Sequence, residues 1–196
     1  MYFCNKIDFC VSIGRMITDK YQLVTGCQQK DPKAMKQLYE ELAPVMLGVC
    51  MRYTHSRDEA QDLLHDGFVK AYENIDKLVN PSALWSWMYQ IMVNLSINYV
   101  TRRDTLLYCD MEEVSEQNDW SDDFEMDLDE TTNRAEELVE ALQSLPARYR
   151  VVFNMRAVEE MEYSEIAAQL QVPESTVRSR VSRARQLLLE KLKMKG

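Results

Sequence analysis

The 196-residue chain has little glycine and proline, only two histidines, and no cysteines in a regular spacing. Five glycines and five prolines are too few for a many-turned sheet, and abundant Leu, Met, Ala, Glu, Gln and Arg favour helix. The five cysteines include no CxxC pair, so neither a zinc site, a disulfide framework nor a cofactor is expected. No apolar run approaches the roughly 20 residues that span a bilayer. These absences predict an all-α protein without stable membrane insertion.

Catalytic signatures are missing as well. The sequence has no nucleophile–base pair, no cluster of metal ligands and no glycine-rich phosphate loop. We therefore expect neither enzymatic activity nor a small-molecule substrate. The odd number of cysteines without framework spacing is typical of a reducing compartment, which predicts a cytoplasmic protein.

Acidic residues outnumber basic ones by 32 to 23, but the excess is confined to one stretch. Residues 104–133 contain twelve Asp or Glu and no Lys or Arg, which leaves twenty acidic against twenty-three basic residues elsewhere. A run of like charge with little apolar surface stays extended and solvated. We predict two small helical domains, 18–103 and 134–196, joined by a flexible acidic linker at 104–133. The status of an N-terminal extension at 1–17 is left open.

Helical periodicity is clear in the first domain. One helix is expected from Ser82 to Arg102, with Trp87 facing inward and Trp85 as the more exposed tryptophan. An earlier helical pattern covers residues 34–53, where Pro44 should kink or divide the helix. Packing of such helices into a bundle requires no function. Between these two segments, a third helical pattern predicts one buried face. It consists of Ala60, Leu63, Leu64, Gly67, Phe68, Ala71, Tyr72 and Ile75.

The second domain contains the most specific pattern. Residues 163–170, 171–174 and 175–192 read as a short helix, a tight connection and a longer helix, which is the arrangement of a helix-turn-helix. Ser164 is placed to cap the first of these helices. Unrolled at about 100° per residue, the longer helix has one apolar arc that must face the core. The arc consists of Val177, Val181, Ala184, Leu188 and Leu192.

The opposite side of the longer helix is polar and basic. From Glu174 to Gly196 there are seven basic residues and two acidic ones. An Arg-rich face is often only a solvated surface, but the preceding helix and turn favour DNA contact here. Arginine can bind guanine through two hydrogen bonds, and Ser and Arg also hold phosphates. The candidate DNA-binding residues are Ser175, Thr176, Arg178, Ser179, Arg180, Ser182, Arg183 and Arg185.

Both domains resemble the extracytoplasmic-function (ECF) group of bacterial RNA polymerase sigma factors, within the sigma-70 family. Residues 145–153, 163–167 and 176–185 resemble the carboxy-terminal domain of that family, which implies binding to the minus-35 promoter element. Residues 58–68 resemble the helix that docks on the clamp of core polymerase. Residues 87–103 resemble the segment that melts and reads the minus-10 element.

The resemblance implies roles for individual residues of the first domain. Asp62, His65 and Asp66 would bind core polymerase. Trp87 is also explained as a core residue, and arginines at a helix end are also ordinary partners of the helix dipole. The sequence departs from the family at Gln171, where glycine is frequent, and at Pro173, where a Ser or Thr cap is common. The candidate minus-10 residues are Trp85, Trp87, Asn94, Asn98, Arg102 and Arg103.

These features predict a sigma factor that binds core RNA polymerase and promoter DNA and directs DNA melting and transcription initiation. An anti-sigma factor, which holds many family members inactive, is a further candidate partner. Two other classes stay open. A stand-alone helix-turn-helix regulator would have no use for the melting segment at 87–103, and a helical adaptor would leave the polar face of 175–186 unexplained.

Overall fold

The computed structural model describes residues 19–103 and 139–193. The chain divides into two compact units, with the boundary after Tyr99. Within the described ranges the regular elements are all helical and no strand occurs, which confirms the predicted all-α class. None of the described helices combines the length and the apolar character needed to cross a membrane. The predicted extension at 1–17 and the acidic linker at 104–133 lie outside the described residues.

Among its described residues, the amino-terminal unit has four α-helices, the last of which continues four residues past the unit boundary. Acceptors on Asp19, Asp31 and Ser56 bind backbone N–H groups in the first turns of three of them, which satisfies donors that a helix leaves unpaired. Two 3₁₀ turns, Ile75–Lys77 and Pro81–Ala83, connect the third helix to the fourth. The helices are α1 (Lys20–Gln28), α2 (Pro32–Met51), α3 (Arg57–Asn74) and α4 (Leu84–Arg103).

Helix α2 continues through Pro44, so of the two outcomes predicted there, a kink or a division, the division does not occur. It runs from Pro32 to Met51 as one element. A proline inside a helix costs about 3 kcal/mol, while each fully buried Leu or Met side chain contributes about 1.5–3 kcal/mol. Leu38, Leu42 and Met46 on the inner face are fully buried, so packing outweighs the local cost.

The inner face of α3 agrees with the prediction. Seven of the eight predicted residues are buried, and Tyr72 is half-buried with its hydroxyl donating to the Met35 carbonyl at 2.7 Å. Phe68 lies against Tyr39 of α2, with ring centroids 4.7 Å apart. On the other side of the helix, Asp62 and Asp66 are exposed. Helix α3 is therefore amphipathic as its spacing indicates.

The carboxy-terminal unit begins, among the described residues, with helical residues 139–143. The apolar arc predicted for its last helix is confirmed, because four of its five members are fully buried and Leu192 is half-buried. The further elements are α5 (Ala147–Phe153), a π-helical segment (Asn154–Val158), α6 (Tyr163–Leu170) and α7 (Glu174–Lys193).

Buried Arg150 closes the turn before α5. Its Nη1 donates to the carbonyl of Gln143 at 2.9 Å and to that of Leu145 at 3.5 Å. Hydrogen bonds from a charged donor are stronger than neutral ones, and carbonyls at a helix end lack partners within the helix. Arg150 thus connects α5 to the segment before it.

The connection between α6 and α7 contains a left-handed residue. Gln171 has φ 54° and ψ 41°, at the position where the family often has glycine. A residue with a side chain in this region costs roughly 1 kcal/mol. The N–H groups of Gln171 and Val172 both donate to the Ala167 carbonyl, which offsets part of that cost.

Ser164 does not cap α6, and the prediction was wrong by two residues. The helix begins at Tyr163 with Glu162 as its N-cap, so Ser164 lies exposed in the first turn. Instead, the Glu165 carboxylate accepts from the Glu162 N–H at 3.0 Å. A glutamate at this position performs half of a capping box.

We expect the amino-terminal unit to lose stability above about pH 9. Burial raises the pKa of Cys27 from 9.0 to about 11, that of Cys50 from 9.0 to about 12 and that of Tyr72 from 10.0 to about 12. The unfolded chain therefore deprotonates first, so stability that is complete below pH 9 falls as pH rises toward 12. Chemical denaturation at pH 8, 9 and 10 should show the decline, and Cys50→Ala should reduce its slope. A flat profile in the wild type would contradict the prediction.

Candidate nucleic-acid interface

Helix α7 presents its polar side to solvent. Ser175, Arg178, Ser179 and Arg183 are exposed, opposite the buried apolar arc. Three further predicted residues, Thr176, Ser182 and Arg185, are half-buried at the flanks of this face. The helix therefore offers hydroxyl and guanidinium donors in one stripe, the chemistry that contacts base edges and phosphates in a duplex groove.

The two exposed arginines are held by polar neighbours on their own helix. Arg178 donates to Glu174 Oε1 from Nη2 at 2.7 Å and from Nε at 3.2 Å. Its guanidinium also lies 4.3 Å from the ring centroid of Tyr163 on α6. Arg183 Nη1 donates to Gln186 Oε1 at 2.7 Å. Both guanidinium groups therefore have hydrogen-bond partners on the exposed side of α7.

Arg180 departs from the prediction. It is only 7% exposed, so its side chain lies on the inner flank of α7 rather than on the polar face. Burial lowers the pKa of Arg180, and the positive charge of Arg148 lowers it further. Arg180 therefore belongs to the contact between α7 and α5, and we remove it from the candidate DNA-binding residues.

Helix α4 carries a second polar surface. Residues spaced by four along it are exposed, and Gln90 Nε2 donates to Asn94 Oδ1 at 3.1 Å. This α4 stripe contains the predicted Asn94, Asn98 and Arg102; the side chain of the predicted Arg103 lies outside the described part. The sequence prediction missed Gln90 and Ser86, although extending the four-residue spacing backward from Asn94 would have found them. The α4 stripe consists of Ser86, Gln90, Asn94, Asn98 and Arg102.

The two tryptophans of α4 have the reverse of their predicted exposure. Trp85 is 4% exposed and stacks on Tyr89, with ring centroids 4.9 Å apart. The Tyr89 hydroxyl accepts from buried Arg52 Nη2 at 2.9 Å, which ties α4 to the end of α2. Trp87 is half-buried beside the stripe. Trp85 is therefore a core residue, and of these two tryptophans only Trp87 is partly exposed to solvent.

Helix α3 supplies a third surface. Asp62, His65 and Asp66 are all exposed on it, as predicted. Beside His65, Tyr39 and Val69 are 42% and 44% exposed and line a shallow apolar groove. Apolar surface bordered by charged groups is typical of protein–protein interfaces.

Comparison with known proteins places both units in one family. Residues 38–105 match the family model described as Sigma-70 region 2, and residues 135–188 match Sigma-70, region 4. The RNA polymerase sigma-H factor of Pseudomonas aeruginosa is 30% identical over 174 residues, covering 85% of this chain and 90% of that protein. The ECF RNA polymerase sigma-E factor of Haemophilus influenzae is 29% identical over 187 residues, covering 92% and 98%. The chain is a member of the ECF group of the sigma-70 family.

The region 2 match contains most of α2 and all of α3 and α4, while the region 4 match contains α5, α6 and most of α7. The resemblance read from the sequence is thereby confirmed. A solved structure, the sigma factor RpoE in complex with the anti-sigma factor NepR from Bartonella quintana, is 25% identical. The match covers 82% of this chain and 98% of that chain, with a TM-score of 0.44.

Proposed function

We propose that this sigma factor binds core RNA polymerase through the exposed side of α3 and reads promoter DNA with two further surfaces. The α4 stripe would contact the minus-10 element, and the polar face of α7 the minus-35 element. The observation that carries this proposal is the exposure of three polar surfaces on otherwise well-buried helices, within the two regions that match the family models.

At the minus-35 element, α7 would enter the major groove. Arg178 and Arg183 project from the exposed face and can each form two hydrogen bonds to guanine. Ser175 and Ser179 on the same face are suited to phosphate contacts, which position the helix without selecting sequence. Buried Val177 and Val181 fix the orientation of this face against α6 and the rest of the unit.

At the minus-10 element, the α4 stripe would bind bases that have left the duplex. Flipping a base costs a few kcal/mol, and stacking on an aromatic ring returns about 1–3 kcal/mol per base. Half-buried Trp87 can supply such a surface, while Asn94 and Asn98 offer donors and acceptors to base edges. Arg102 near the end of the stripe can neutralise a phosphate. Melting in this scheme is driven by binding single strands rather than by catalysis.

On α3, the exposed carboxylates of Asp62 and Asp66 would meet basic residues of the polymerase, with His65 and the adjacent apolar groove completing the contact. Such an arrangement combines electrostatic steering with burial of apolar surface. We place this activity in the cytoplasm, where core polymerase meets the chromosome. Where an anti-sigma factor acts on this chain, we expect it to cover one of these surfaces.

Run-off transcription on a genomic promoter library, with purified bacterial core polymerase, tests the proposal. The wild type should start transcripts from promoters that share a two-element motif. Asn94→Ala with Asn98→Ala should retain polymerase binding but lose open complexes, while Asp62→Ala with Asp66→Ala should weaken polymerase binding itself. A protein that neither bound core polymerase nor started a transcript, yet bound duplex DNA alone, would instead be a stand-alone regulator.

A further inference from the structure

Two guanidinium groups lie over the ring of Tyr163. Arg178 of α7 is 4.3 Å from the ring centroid and Arg156 of the π-helical segment is 5.0 Å from it. Tyr163 itself is 7% exposed, at the first position of α6. Arg156 is fixed in turn, because its Nη1 donates to the Met161 carbonyl at 3.4 Å. The buried ring of Tyr163 therefore contacts both Arg156 and Arg178, and Arg178 belongs to the proposed DNA-binding face.

This arrangement limits the freedom of the Arg178 side chain. A cation over an aromatic ring is attracted by the negative potential of its face, and a planar guanidinium stacks on it as well. Glu174 holds the same guanidinium from a second direction through Nε and Nη2. A free arginine side chain must give up its rotamer freedom when it forms two hydrogen bonds to a base. Part of that ordering is already complete in Arg178.

We propose that Tyr163 is a positioning residue for base reading, and that its ring sets the plane in which the Arg178 guanidinium meets the minus-35 element. The inference rests on the proposed role of α7. It assigns to a residue of α6 an effect on sequence selectivity that is exerted through Arg178. The ring face carries the effect, and the hydroxyl group is dispensable.

Selection from a promoter library randomised across the minus-35 element tests this role in the intact holoenzyme. Arg178→Ala first identifies the base positions that Arg178 reads, where discrimination should fall about tenfold or more. Tyr163→Leu and Tyr163→Met, which fill space without an aromatic face, should lower discrimination about three- to tenfold at those same positions. Other positions should change less than about twofold. Tyr163→Phe, which keeps the face, should retain the wild-type motif.

The base preference is a ratio measured within one preparation, so it does not depend on the fraction of folded protein. If Tyr163→Leu and Tyr163→Met weaken all sequences equally, or if Tyr163→Phe is as damaging as Tyr163→Leu, the positioning role is wrong. If Arg178→Ala leaves the selected motif unchanged, the proposed role of α7 fails first, whatever the Tyr163 variants do. The two failures are thus distinguishable in one experiment.

Discussion

Holoenzyme with Arg178→Ala and Arg183→Ala is expected to bind a promoter with an intact minus-35 element at least about 30-fold more weakly than wild type. Each arginine that binds a base through two hydrogen bonds contributes about 1–3 kcal/mol of discrimination, and separate contacts add roughly. Both side chains are exposed, so the fold of the carboxy-terminal unit should survive their removal. Equilibrium binding of holoenzyme to labelled promoter fragments measures the effect.

The control for this double variant is a promoter fragment in which the minus-35 element is scrambled. Wild-type holoenzyme should lose a comparable factor when the minus-35 element is scrambled, while the variant should bind intact and scrambled fragments nearly equally. Such a pattern separates loss of base reading from loss of positive charge, because removed phosphate contacts would weaken both fragments alike. An unchanged preference of the variant for the intact element would remove Arg178 and Arg183 from the minus-35 interface.

The helix-turn-helix could be predicted from sequence because its two helices are strongly amphipathic. Along α7 the apolar residues recur every three or four positions, and the structure buries Val177, Val181 and Leu188 as the spacing requires. Arg180 could not be assigned in this way. It lies only about 60° around the helix from Val177, at the border of the apolar arc, where the packing of α5 decides burial. The charge of a residue near such a border says little about its exposure.

Helix α4 shows the opposite limit. Its first half is apolar on nearly every side, with Leu84, Trp85 and Trp87 at different angles around the axis. Periodicity therefore could not decide which tryptophan faces the core. Trp85 stacks on Tyr89, and the Tyr89 hydroxyl is held by Arg52 just after α2, so the choice depends on a tertiary contact between residues 37 apart in sequence. The polar residues of the α4 stripe were the more reliable guide to its exposed side.

Gly67 of α3 lies against the side chain of Met92 on α4. A Cβ atom at this position would overlap the side chain of Met92 and would lie 3.6 Å from Leu95 Cδ1. Met92 is fully buried, so its thioether would have to shift within the core to admit the added carbon. Because α3 also carries the proposed polymerase-binding residues Asp62 and Asp66, displacement of this helix should affect partner binding as well as stability.

Gly67→Ala is therefore expected to destabilise the amino-terminal unit by about 1 kcal/mol. Overpacking of a core typically costs about 1–3 kcal/mol, and the flexible end of Met92 and the better helix propensity of Ala offset part of that cost. The effect should reverse in a Met92→Ala background, because the added methyl group then fills space vacated by the thioether. There Gly67→Ala should stabilise by up to about 1 kcal/mol through its better helix propensity. Chemical denaturation of the wild type, the two single variants and the double variant gives the coupling free energy between residues 67 and 92. Equal effects of Gly67→Ala in both backgrounds would show that contact with Met92 does not determine the effect of a side chain at this position.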